Sequence, residues 1–416
     1  MNVRRSATAL AVIAVTLAGG GQASAASPSP SAALPAGLYG TGDPTYDGVW
    51  RQSLALLAQD TVGVKPAASA VDWLAGQQCA SGAFAPFRAD SGTACDAKTL
   101  VDTNSTGAAV QALAALGGQD AGVGKAVAWL KSVQNTDGGW GYAAGGASDA
   151  NSTSVVVGAL AAAGEEPGTV AKGGRSPYDL LLKLALPCDA TGGGAFAYQP
   201  DKKGALAAND DATAAAVVGV LGKGFAGEAM KPTGTASACS DSDDPGQAAR
   251  NGAAHLVQAL AKDKHLTSAL AGAKDQPDYG NTADAVVALA TAGQGQRAAD
   301  AWRWLEANAG PWAKGAGPAA YAQLILAAHA ETADPRDFGG QDLVTLLNAT
   351  GPAPESVPAS VSPTPAAHDS AKDTDKDSGK DDGNGFGTLW TVGVFLVAGI
   401  GIGFLISGRN KRKQQP

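Results

Sequence analysis

The sequence predicts an all-α fold, an α6/α6 toroid built as a closed ring of helical hairpins, and three observations carry that expectation. The first is an internal repeat. Trp129-Leu130 leads to Gln134, then Asp137-Gly138-Gly139-Trp140, then Asp149-Ala150-Asn151-Ser152-Thr153 and an Ala/Val run ending at Gly164. An upstream copy reads Trp73-Leu74 to Gln78, Ser81-Gly82-Ala83-Phe84, Asp102-Thr103-Asn104-Ser105-Thr106 and a run ending at Gly117. Units of this length mark arrays in which each hairpin buries its apolar face on its neighbours. The second is the alternation of slim Ala/Val/Gly helices with bulkier ones. The third is a set of terminal glycines, Gly117, Gly164, Gly222 and Gly293, which lie equally far beyond Thr106, Thr153, Asp211 and Thr282.

Counted in that register, the inner helices are Pro44–Ala58, Asn104–Leu116, Asn151–Ala163, Asn209–Leu221, Asn281–Ala292 and Gly317–Ala330. Their bulkier outer partners are Ala67–Gln78, Val123–Gln134, Ser176–Leu186, Arg250–Lys262, Arg297–Ala309 and Gly340–Asn348. The Asn at four of these inner starts, Asn104, Asn151, Asn209 and Asn281, would cap backbone amides that lack an intrahelical partner. Small side chains suit the inner layer, where helices crowd around a narrow axis. About six hairpins can close on themselves, giving one domain over residues 40–350.

The two ends predict export and anchoring. Arg4 and Arg5 precede an apolar run from Ala7 to Ala18 and an Ala23-Ser24-Ala25 cleavage site, so residues 1–25 read as a signal peptide. Residues 388–407 read as a transmembrane helix, since an apolar stretch of about 20 residues spans a bilayer. Arg409, Lys411, Arg412 and Lys413 follow in a basic tail, 408–416, which puts the C-terminus in the cytoplasm. Residues 351–387 are rich in Pro, Ala, Ser, Asp and Lys, a composition that cannot bury enough apolar surface to order itself, and read as a disordered stalk. The expected location is therefore the cell membrane, single-pass, with the toroid outside.

A net charge of −8 argues against nucleic acid, which requires a basic face. Four cysteines in an exported chain point to disulfides. Cys79 and Cys95 flank one inter-helix loop, and Cys188 and Cys239 bracket another repeat, so those pairings are expected. No C-x-x-C pair occurs and the four histidines are scattered, so no metal site is predicted.

Gln134-Asn135-Thr136-Asp137-Gly138-Gly139-Trp140-Gly141 resembles the Q-x-x-D-G-G-W repeat of squalene cyclases and the G-G-F loops of prenyltransferase β subunits. The chain is thus similar to the terpenoid cyclase and protein prenyltransferase toroid superfamily, with its prenyltransferase and squalene oxidase repeats. The match is partial in the first repeat and degenerate in Gly192-Gly193-Gly194-Ala195-Phe196, Asp278-Tyr279-Gly280 and Gly310-Pro311-Trp312. The resemblance implies that these loops join outer to inner helices and that the inner helix ends line a central funnel. It supports fold more than activity.

Its branches imply different chemistry. Cyclases of class II use a D-x-D-D motif whose acid, held protonated in a low-dielectric site, protonates an alkene or epoxide. Asp241-Ser242-Asp243-Asp244 matches literally but lies in a polar Cys/Pro/Gly loop. Asn209-Asp210-Asp211 opens an inner helix, where the family's motif sits, but Ala208 replaces the first acid. Prenyltransferases require a zinc site containing D-x-C, which is absent. The cobalamin carriers of the intrinsic factor type share an exported, disulfide-bonded α-barrel and imply a corrinoid ligand. They also carry a β domain that closes over the vitamin, so an uptake transporter or a lid-like β-domain protein is the expected partner. Glycan-active toroids need two carboxylates, for which Asp210, Asp211 and Asp284 are the funnel-side candidates.

The expectation drawn from these residues is a membrane-anchored toroid that binds a small molecule or partner in its funnel without chemistry of its own. The expected ligand-binding residues are Asn104, Thr106, Asn151, Thr153, Asn209, Asn281, Thr282 and Asp284, with Trp140 and Tyr142 available to stack. The alternative is a cyclase-like enzyme acting on isoprenoids, with Asp210 as proton donor beside Asp211.

Overall fold

The computed structural model describes residues 34–232, 239–269 and 273–356. Among them, twelve α-helices alternate between two layers. The inner layer is α1 (Gly48–Thr61), α3 (Thr103–Leu116), α5 (Ala150–Ala162), α7 (Asp210–Val220), α9 (Tyr279–Thr291) and α11 (Pro318–Glu331). Each packs on the next, and α11 packs on α1, so the six close into a ring. The outer layer is α2 (Ala68–Gly76), α4 (Asp120–Ser132), α6 (Pro177–Leu184), α8 (Pro245–Ala261), α10 (Gly295–Ala316) and α12 (Leu343–Asn348). A short antiparallel pair, β1 (Leu266–Thr267) with β2 (Pro277–Asp278), joins α8 to α9.

Local chemistry accounts for both layers. Asp102, Asp149, Asn209 and Asp278 cap α3, α5, α7 and α9, each accepting a backbone N–H three residues on. The inner helices approach closely because side chains are missing where they touch. A Cβ on Gly107 would lie 2.7 Å from Val155 Cγ1, and one on Gly219 would lie 2.5 Å from Ser154 Oγ. Bulkier residues fill the seam between layers, where Leu74, Leu130, Leu181, Leu256 and Leu305 are buried.

The structure corrects two of the degenerate loops. Gly310 and Pro311 lie inside α10, so Gly310-Pro311-Trp312 is not a connection between layers. Asp278-Tyr279-Gly280 is the cap and first turn of α9, and Leu266 on β1 takes the loop position instead. The literal acidic run is structural: Asp241 accepts a hydrogen bond from the Cys188 backbone at 2.8 Å, and Asp244 caps α8.

Both expected disulfides are present, Cys79–Cys95 and Cys188–Cys239. The first residues of the expected stalk are not free of the ring. Ser356 and Glu355 pair with the Lys65 backbone, and Glu355 forms an ion pair with Lys65 at 2.6 Å. No helix among the described residues is long and apolar enough to cross a membrane. The expected signal peptide, the stalk beyond residue 356, the span and the basic tail lie outside the described residues.

Candidate functional site: an acidic chamber inside the ring

The true register of the repeats comes from the caps. Four residues beyond each cap stands a threonine, Thr106, Thr153, Thr213 or Thr282. Its hydroxyl accepts the backbone N–H of Phe84, Trp140, Phe196 or Leu266, respectively, at 2.9–3.1 Å. This column ties each Gly-aromatic loop to its inner helix. Counting back from terminal glycines misplaced α7, because two residues fewer separate Asn209 from Gly222 than separate Asp149 from Gly164. Asn209 therefore belongs with the caps Asp102 and Asp149, and Asp211 belongs with Asn104 and Asn151.

Several predicted ligand contacts are consequently structural. Thr106, Thr153 and Thr282 are fully buried in these loop bonds. Trp140 is buried in the core and donates its indole N–H to the Leu130 carbonyl at 2.7 Å. Tyr142 hydrogen-bonds Asp102, the cap of the preceding inner helix. Tyr198 does the same for Asp149. Burial pushes both caps up to about 6, against the opposing pull of their serine and tyrosine hydrogen bonds. Asn281 braces its own cap, donating to Asp278 at 2.9 Å. Asn104 is buried with neither amide atom partnered, and it does not line the chamber described next.

Asp210 and Asp211 part company. Asp210 pairs with His255 of α8 at 2.8 Å, on the side of α7 that faces the outer layer. Asp211 turns into the ring, where it accepts a hydrogen bond from Asn151 Nδ2 at 2.8 Å. The acid with access to the funnel is thus Asp211, not Asp210.

Asp211 lines a chamber of about 70 Å³ together with Asn151, Ser154, Asp284 and Gln323 as its polar groups. Leu54, Val155, Val218, Val287 and Leu326 supply apolar walls, and exposed Lys223 is also among the lining residues. Trp50 of α1 meets Phe225 edge-on, ring centroids 5.3 Å apart. Phe225 follows α7 and reaches into the ring, its backbone N–H held by Gln111 Oε1 at 2.9 Å. Gly224 permits that approach, since a Cβ there would lie 2.2 Å from Gln111 Oε1.

The electrostatics are one-sided. Asp211 is pushed up to about 8, first by burial and then by the charge of Asp284. Asp284 is pushed up to about 7, again chiefly by burial, with Gln323 amide contacts at 3.3 and 3.4 Å working the other way. Both carboxyls are only partly accessible, the surrounding ring sets their environment, and low dielectric disfavours the charged form. Both carboxyls therefore keep their protons to a higher pH than an exposed aspartate would. Among the described residues no cluster of His, Cys, Asp and Glu could hold a metal ion.

Sequence reasoning found Asp211, Asp284 and Asn151 but missed Trp50, Ser154, Phe225 and Gln323. Gln323 was within reach, because it stands six residues beyond the α11 cap as Asp284 stands six beyond its own. Phe225 had no such signal, since it lies in a loop past the last turn of α7.

No known family's sequence profile matches the chain, and no curated protein sequence matches it. Similar solved structures include ent-copalyl diphosphate synthase from Streptomyces platensis, at 16% identity and a TM-score of 0.46, over 68% of this chain. The chain spans 50% of that protein's length. A protein from Actinoplanes shows 16% identity and a TM-score of 0.46 over 71% of this chain and 94% of its own. The type II terpene cyclase MstE from Scytonema shows 15% identity and a TM-score of 0.42 over 65% and 72%. Likeness at this level carries no argument about activity, which has to come from the chamber itself.

Proposed function

We propose that this chain is an acid-dependent enzyme of cyclase type, acting on the terminal alkene of an isoprenoid. The observation that supports it is a pair of desolvated carboxyls, Asp211 and Asp284, facing an apolar chamber that also holds Trp50 and Phe225. In this reading the Asp211 carboxylic acid gives its proton to one alkene carbon, whose π electrons form the new C–H bond. The neighbouring carbon becomes cationic and is attacked by the next double bond of the chain. The cation left at the end of that relay loses a proton to form an alkene, while the Asp211 carboxylate takes up a proton from solvent. The aromatic faces favour that developing positive charge. A chamber of about 70 Å³ admits the end of a chain and leaves the remainder outside its opening. Two disulfides fit an oxidising compartment, so we place the ring outside the cytoplasmic membrane.

The test is turnover by the full-length chain of a C20 polyprenyl diphosphate and a C30 polyene. Asp211→Asn is expected to lower the rate by about 10²–10⁴, the usual worth of a positioned proton donor, with substrate binding retained. Wild-type protein without turnover on either substrate would sink the proposal.

A second reading, ligand capture without chemistry, is favoured by the unpartnered Asn151 Oδ1 and Ser154 Oγ of the chamber residues. Buried polar atoms without partners are costly, and a bound polar group would satisfy them. A molecule co-purifying from the native host, read by mass spectrometry and visible absorbance, would support this version. A corrinoid spectrum would support the vitamin-carrier form and its transporter or lid-protein partner.

A further inference from the structure

The chamber carries more acceptors than an alkene can use. Asp211 and Asp284 face it, and the charges that act on them come from other carboxylates: Asp284, Asp278 and Asp149 on Asp211, and Asp278 on Asp284. Among the described residues no cation forms an ion pair with either; Lys223 also lines the chamber, but it is exposed and its charge is not among those acting on the two carboxyls. Asn151 is 1% exposed and spends its Nδ2 donor on Asp211, which leaves its Oδ1 acceptor without a partner. Ser154 Oγ, also buried, is equally unpartnered. Trp50 and Phe225 add aromatic rings to the same space.

We propose that the chamber is a binding site for a small primary ammonium ion carried on an apolar chain. Three N–H donors match the acceptors of Asp211, Asp284 and Asn151, and the positive charge offsets two carboxylates that the protein leaves uncompensated. The aromatic pair attracts the cation through its ring quadrupoles. As the ammonium seats, the carboxyls release the protons they hold to solvent, so affinity rises with pH. The neighbouring cap carboxylates Asp149 and Asp278 reinforce this direction, and exposed Lys223 opposes it weakly. The site shares its residues with the proposed reaction but needs no turnover, so the two can fail separately.

The probe is n-butylammonium, with n-butanol as its neutral counterpart of the same shape, titrated calorimetrically into the full-length chain without substrate. We expect saturable binding of the ammonium, at least tenfold tighter at pH 8.5 than at pH 6, and no measurable competition by the alcohol. Asp211→Asn and Asp284→Asn should each weaken binding at least tenfold at pH 8.5, and Trp50→Leu by several-fold. Equal affinity for alcohol and ammonium, or affinity independent of pH, would overturn the proposal. Those two comparisons use the wild-type protein and decide the matter even where a variant fails to fold.

Discussion

Asp210 and Asp211 are adjacent in sequence and do different work. Successive residues of a helix are rotated by about 100°, so one of two neighbouring acids can face the funnel while the other faces the outer layer. His255 takes Asp210, and Asn151 takes Asp211. The pH dependence of stability follows from the buried member. Its folded pKa lies above the unfolded carboxylate value, so between about pH 4 and pH 8 the folded chain holds more protons than the unfolded one. This contribution is fully present below pH 4 and is lost as pH rises through 8. Thermal unfolding of Asp211→Asn should therefore show a higher Tm than wild type at pH 8, with the gain shrinking toward pH 4. A constant offset across that range would contradict the assignment. Thr213 offers a second check, because its hydroxyl accepts the Phe196 amide at 2.9 Å inside the core. Thr213→Val should cost about 1–3 kcal/mol in denaturant unfolding by orphaning that N–H, and Thr213→Ser should recover much of the loss.

At the level of helices and loops, the Gly-aromatic motif proves to be a joint. Gly138 adopts φ +92°, and a Cβ there would lie 2.1 Å from the Ser176 carbonyl at the start of α6. Gln134 clamps the same turn, donating to Gly138 and Val170 carbonyls. Gly138→Ala should destabilise the domain by at least about 1–3 kcal/mol from backbone strain alone, measured as a shift in the denaturant midpoint. Catalysis or binding in the remaining folded fraction should be unchanged, since no residue of the loop lines the chamber. The inner helices and their outer partners were legible because amphipathic length, caps and terminal glycines all agree on where they lie. Where those signals disagreed, at the shortened α7, counting from glycine put Asp211 in the wrong column. Counting from the cap would have grouped it with Asn151.

For the molecule as a whole, ring closure makes α1 and α11 neighbours and encloses a chamber that no single hairpin contains. The two disulfides fasten the periphery, with Cys188–Cys239 closing the longer loop, 51 residues in separation against 16. Replacing Cys188 and Cys239 by serine should cost about 2–5 kcal/mol, read by calorimetry under non-reducing conditions. The ring's helical content should survive, because the helices pack through their apolar seams and not through sulfur. The sequence by itself determined the alternation of layers, since that depends on a repeating spacing, and it pointed to the cysteine pairing that the structure shows. Only the tertiary structure decided which polar residues meet. Asn151, Asp211, Asp284 and Gln323 come from four different inner helices, and Phe225 reaches Trp50 from the far side of the ring. Their shared chamber, and the raised pKa values that follow from it, exist only once the six hairpins have closed.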